Sequence, residues 1–140
     1  MLDLFVPGTP APQGSKAFKG MRAGKPILVE QSTRVGPWRE LLTAQLRVHG
    51  ARQHHQQLDG PVHVALVFQL VRGKTVKREH PTTPPDLDKL TRAVLDSCTA
   101  AGVWRDDSQV CSLHVRKLYA TGTTRGPNGP GVRISVSPLV

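Results

Sequence analysis

Acidic residues are scarce in this 140-residue chain: ten Asp and Glu stand against 19 Lys and Arg, leaving a net charge of +9 with histidine neutral. That imbalance excludes an acidic disordered tail and points to a polyanionic partner. Cysteine is rarer still. Cys98 and Cys111 are too few for a disulfide framework, no Cys/His spacing suggests zinc, and both read as small buried apolar residues. No apolar run approaches the ~20 residues that span a bilayer, and the N-terminus lacks a basic stretch followed by an apolar one. Neither membrane insertion nor secretion is expected, and a cytoplasmic location is. His54 and His55 are adjacent in a polar stretch, where neighbouring side chains diverge, so they read as loop residues rather than a metal site.

What is present is enough for one domain over residues 1–140, because a chain of ~150 residues buries ~70% of its unfolded surface. The 38% hydrophobic content suffices for such a core. The few acids are unevenly placed. Asp86, Asp88, Asp96, Asp106 and Asp107 fall within 22 residues that also hold Lys89, Arg92 and Arg105, so this window carries −2 and the rest of the chain +11.

The alternation of Leu2, Leu4 and Val6 predicts a short strand ended by Pro7 and Gly8. From Pro7 to Pro26, prolines, glycines, Lys16, Lys19, Arg22 and Lys25 predict a loop or loose hairpin that could serve as a nucleic-acid arm, with a second short strand over Ile27–Glu30. Pro37 is placed to open an amphipathic helix through Trp38, Leu42 and Leu46 that Gly50 caps. The run from Val62 to Val71 is apolar on both alternating faces and predicts a central strand covered on both sides. A basic, proline-rich loop with Arg72, Lys74, Lys77 and Arg78 follows. A second helix is expected from Asp86 or Asp88 to Ala101, ended by Gly102, then strands over Val110–Tyr119 and Val132–Val136. The fold class is therefore α/β (α+β), a small mixed sheet with two main helices.

The Asp86-Leu87-Asp88 triplet places two carboxylates at an extended-to-helix junction, where residues i and i+2 project to one side. Asp107 follows after a helix and a turn. A helix of about 14 residues is ~21 Å long, so joining Asp107 to the pair depends on how the next strand runs. Clustered carboxylates beside a phosphate substrate are tolerable with a divalent cation, and oxygen ligands suit Mg²⁺ or Mn²⁺. Such ions support phosphodiester hydrolysis. The alternative reading is structural: Asp86 as an N-cap, Asp88 in the first helical turn, and Asp88, Arg92 and Asp96 as an i, i+4 ladder.

The segments Pro85-Asp86-Leu87-Asp88-Lys89-Leu90, Leu95-Asp96 and Ala101 through Val110 closely resemble the signature of the RusA family of Holliday junction resolvases. Val6 through Pro10 and Gln13-Gly14-Ser15 resemble that family's N-terminus, so the likeness touches most of the chain. It implies a small homodimer, bacterial or phage-encoded, that uses Mg²⁺ or Mn²⁺ to make paired nicks in four-way DNA junctions, with Asp86, Asp88 and Asp107 as metal ligands. Asp96 matches a recurrent family position with a surface or structural role, and Asp106 could support the site from behind the ligands. Arg92 stands where the family pattern has a catalytic lysine, and Lys89 where it has asparagine. Arginine is effectively never deprotonated, so it stabilises phosphate charge without serving as acid or base. Lys89, three residues away on the helix, could reach the same phosphate.

The resemblance and these residues together imply a metal-dependent endodeoxyribonuclease leaving 5′-phosphate ends, and the resemblance implies a role in recombination and repair. Lys16, Lys19, Arg22, Lys25, Lys74, Lys77 and Arg78 would contact the DNA backbone. A nuclease for flaps or other branched DNA, and a non-catalytic architectural DNA-binding protein, are the competing readings.

Overall fold

The computed structural model describes residues 1–14, 16–30 and 34–140, with the backbone alone for residues 16–22 and 25–30. In chain order the elements are β1 (Leu2–Pro7), β2 (Lys16–Arg22), β3 (Lys25–Glu30), α1 (Val35–Arg52), β4 (Val62–Leu70), α2 (Leu87–Ala100), β5 (Val110–Tyr119) and β6 (Gly131–Pro138), with a 3-10 turn at Asp107–Gln109. Strands β1, β6, β4 and β5 form a sheet in that spatial order, and β2 pairs with β3 in a separate antiparallel hairpin. Of these strands, β4 and β5 run parallel, joined through α2; β6 is antiparallel to both β1 and β4. The expected mixed sheet with two main helices is present.

The period-two pattern sets the core. Leu2, Leu4 and Val6 of β1, Val62, Val64, Leu66 and Phe68 of β4, and Val132, Ile134 and Val136 of β6 are buried on one face of the sheet. Trp38, Leu42 and Leu46 of α1 and Leu90, Ala93, Val94 and Cys98 of α2 join the same cluster. The opposite face is half-exposed along β4, at His63, Ala65, Val67 and Gln69. The expectation of a strand covered on both sides is thus corrected, because both helices contribute to a single core on one face. Truncating Phe68 to alanine should cost about 3–5 kcal/mol.

Two further sequence expectations change. Gly50 does not cap α1, which continues to Arg52. The termination falls to His54, at φ 52°, with His55 N donating to Gly50 O at 2.8 Å and His54 N to Ala51 O at 3.3 Å. That is a Schellman motif with histidine in the left-handed position. Cys111 is exposed rather than buried, whereas Cys98 is buried as expected. The register explains this: Val62 pairs with Val110 and His63 with Ser112, so Cys111 is the extra residue of a bulge on an edge strand.

Gly8 lets β1 turn away toward the basic segment. It has φ +150°, and a Cβ there would lie 2.8 Å from the Trp38 ring. Beyond it, Gln13 N donates to Lys89 O at 3.0 Å, tying the N-terminal segment to the first turn of α2.

Candidate metal and nucleic-acid site

The chain leaves β4 at Leu70, crosses the basic loop and enters α2 at Leu87. Asp86 occupies the N-cap position of α2 with extended backbone (φ −69°, ψ 138°), yet its side chain makes no capping hydrogen bond. Its side chain is 58% exposed, and Lys89 Nζ stands 4.0 Å from Oδ2. Asp88 is exposed in the first helical turn, where the helix dipole favours an anion. No ion pair joins Asp88 to Arg92 or Arg92 to Asp96 among the described residues; Asp96 lies instead 3.8 Å from Arg39. The i, i+4 ladder does not form, and the capping reading fails at Asp86. Asp86 is left with only its long contact to Lys89, and Asp88 forms no ion pair among the described residues, with Lys89 and Arg92 on the same helix.

The loop before Asp86 is held by its own Arg72 and Arg78 and by Lys117 and Tyr119, the last two of which sequence reasoning missed. Lys117 Nζ donates to Thr83 O at 3.0 Å and to Pro85 O at 2.9 Å. Arg78 Nη2 donates to Thr83 Oγ1 at 3.2 Å, and Arg72 Nη2 to Glu79 O at 3.4 Å. The Arg72 guanidinium lies 4.6 Å from the centre of the Tyr119 ring, and that of Arg78 5.9 Å. Both are within the range of cation–π attraction. The signal for Lys117 and Tyr119 is topological: parallel pairing puts Lys117 beside Phe68 and Tyr119 beside Leu70, where the loop begins. Lys74, Lys77 and Arg78 are exposed on this loop. The side chains of Lys16, Lys19, Arg22 and Lys25 lie outside the described residues.

Asp107 is elsewhere. Strand β5 starts with Val110 beside Val62 and ends with Tyr119 beside Leu70, while α2, 14 residues or ~21 Å long, spans the same distance. Asp107 therefore lies at the opposite end of the sheet from Asp86 and Asp88. Among the described residues no three His, Cys, Asp or Glu side chains gather into a metal-holding group.

Asp106 belongs to the turn itself. Its Oδ2 accepts from Ser108 N at 3.1 Å and from Ser108 Oγ, while Gln109 Oε1 accepts from Asp106 N at 3.0 Å, which completes a capping box. Gln109 Nε2 donates to Leu58 O at 2.8 Å and to Gly60 O at 3.0 Å, fixing the turn to the segment before β4. The Ser108 hydroxyl, and then the Ser108 amide, lower the Asp106 pKa. Asp107, next to it, is half-buried and forms no ion pair among the described residues.

The entrance to α2 thus sets two exposed carboxylates, Asp86 and Asp88, beside a loop that carries Arg72, Lys74, Lys77 and Arg78. The family model described as Endodeoxyribonuclease RusA matches residues 7–136, nearly the whole chain. The chain belongs to the RusA family of Holliday junction endodeoxyribonucleases. No curated protein matches it.

Proposed function

We propose that the chain is a divalent-metal-dependent nuclease that makes paired nicks in four-way DNA junctions as a homodimer, leaving 5′-phosphate ends. The observation that carries this is Asp86, which stands at an N-cap yet makes no capping hydrogen bond with its carboxylate. With Asp88 it forms a two-carboxylate oxygen donor set, which fits Mg²⁺ or Mn²⁺. A bound cation would supply neutralisation of phosphate charge and activation of water. Lys89 and Arg92 would stabilise negative charge on the phosphate, with Lys89 the better placed to exchange a proton. Lys74, Lys77 and Arg78 would hold the flanking backbone.

Asp107 would complete the set across a two-fold axis. Strand β5 is a sheet edge, and Leu113 on it is 45% exposed. Leu113 shares an apolar groove with Val115, Leu87 and Leu95, rimmed by Asp88 and Arg92, between the two ends of α2. A second copy packed antiparallel over this strip would set the partner subunit's Asp107 against Asp86 and Asp88. Two such sites follow from symmetry, matching two cuts in two strands.

A labelled four-way junction incubated with Mg²⁺, and separately with EDTA, tests the reading. Symmetric cleavage in Mg²⁺ alone is expected, and no metal-dependent cleavage would sink it. Equal cutting of flaps and junctions would leave a general branched-DNA nuclease.

A further inference from the structure

Lys117 lies outside the acidic island, yet its ammonium spends two of its three donors on carbonyls of the chain leading into Asp86. It has no acidic partner within ion-pair distance among the described residues, and it is half-buried. Hydrogen bonds from a charged donor are stronger than neutral ones. On the other side, the Gln13 amide holds Lys89 O at 3.0 Å. The junction between loop and helix is thereby pinned from β5 and from the N-terminal segment. The Asp86 side chain makes no capping hydrogen bond, and its ion-pair contact, to Lys89, is long at 4.0 Å. Its placement therefore follows chiefly from the backbone that Lys117 grips.

The geometry points to Lys117 as a positioning residue that sets metal affinity by holding Pro85 and Thr83, and with them the Asp86 carboxylate, in place. This rests on the reading of Asp86 and Asp88 as metal ligands. Groups that orient metal ligands typically contribute 10–100-fold in affinity. Lys117 contacts neither metal nor reacting atoms in this account.

The test is Mn²⁺ binding to the purified full-length chain without DNA, followed by the electron paramagnetic resonance signal of free Mn²⁺. Lys117→Met should weaken Mn²⁺ binding roughly tenfold or more, while Lys117→Arg, which keeps a charged donor, should recover part of the loss. Junction binding in EDTA should be unchanged in both. Melting curves establish that each variant is folded, and Lys117→Gln replaces Lys117→Met if the latter is not. A folded variant that binds Mn²⁺ like wild type overturns the inference, as does loss of junction binding in EDTA with Mn²⁺ affinity intact, which would make Lys117 a DNA contact. Wild-type protein that binds no Mn²⁺ removes the metal reading and this inference together.

Discussion

Just beyond the C-terminal end of α2, Asp106 caps the following turn through Ser108 and Gln109 and so spends its carboxylate on structure. At the N-terminal end, Asp86 sits where a carboxylate ordinarily caps a helix and contributes no such bond. A capping bond satisfies an orphan backbone amide, so this helix entrance forgoes a stabilisation that the other end collects. The difference teaches that position alone does not assign a role to an aspartate. A carboxylate committed to backbone amides is part of the fold, and one withheld from them is available to a ligand.

The largest effect expected from breaking this comparison is at the withheld end. Asp86→Asn or Asp88→Asn should reduce Mg²⁺-dependent junction cleavage by roughly a hundredfold or more. Their melting temperatures should fall only slightly, since Asp86 makes no capping bond and the exposed Asp88 contributes only its charge near the helix dipole. Cleavage rates and thermal unfolding on the same preparations check both halves.

Next come the cations of the loop that leads to Asp86. Replacing Lys74, Lys77 and Arg78 by alanine should weaken junction binding and lower the salt dependence of log K by roughly 0.9 for each phosphate that is no longer neutralised. Binding titrations at several salt concentrations measure the slope. A reduced affinity with an unchanged slope would show that these residues do not hold the DNA backbone.

At the committed end the expected loss is in stability. Asp106→Ala should lower the melting temperature without abolishing cleavage. The pKa of Asp106 is lowered in the folded state by the Ser108 hydroxyl and amide, so its contribution is present above the ordinary aspartate range. It is lost as pH falls through the folded value. The melting difference between wild type and variant should narrow in acid, as thermal scans across that range would record.

The smallest effect concerns the two thiols. Burial pushes Cys98 up from 9.0 to about 12, so at neutral pH an alkylating reagent should modify Cys111 alone until the protein is unfolded. Because Cys98 is held as the neutral thiol, stability should fall as pH rises from about 9 toward 12. Mass spectrometry of the labelled protein reads out the first expectation, and alkaline melting curves the second.

Much of this was legible in the sequence. The alternation in β1, β4 and β6 and the periodicity of α2 stand out because each element buries one face only. The Asp86-Leu87-Asp88 triplet was visible as a candidate site, but capping and metal binding look alike in one dimension. The missing capping bond at Asp86 removes the capping reading there, and the metal reading remains the proposal that the Mn²⁺ and cleavage experiments test. Lys117 and Tyr119 were hidden because they join the site through parallel pairing of β5 with β4, which local pattern does not encode. Cys111 was misread because a bulge shifts the register of an edge strand by one residue. The helix end at His54 was misplaced because a histidine took the left-handed position expected of Gly50.

The most direct test of the account asks whether the two ends of α2 meet across a dimer. Asp88→Asn and Asp107→Asn proteins, each inactive alone, would be mixed under conditions that exchange subunits and assayed on a labelled four-way junction with Mg²⁺. In a mixed dimer with shared sites, one site carries both substitutions and the other carries none, so single-strand nicking should return. If each site is built from one chain, both sites stay broken. No recovery in verified mixed dimers would contradict the account.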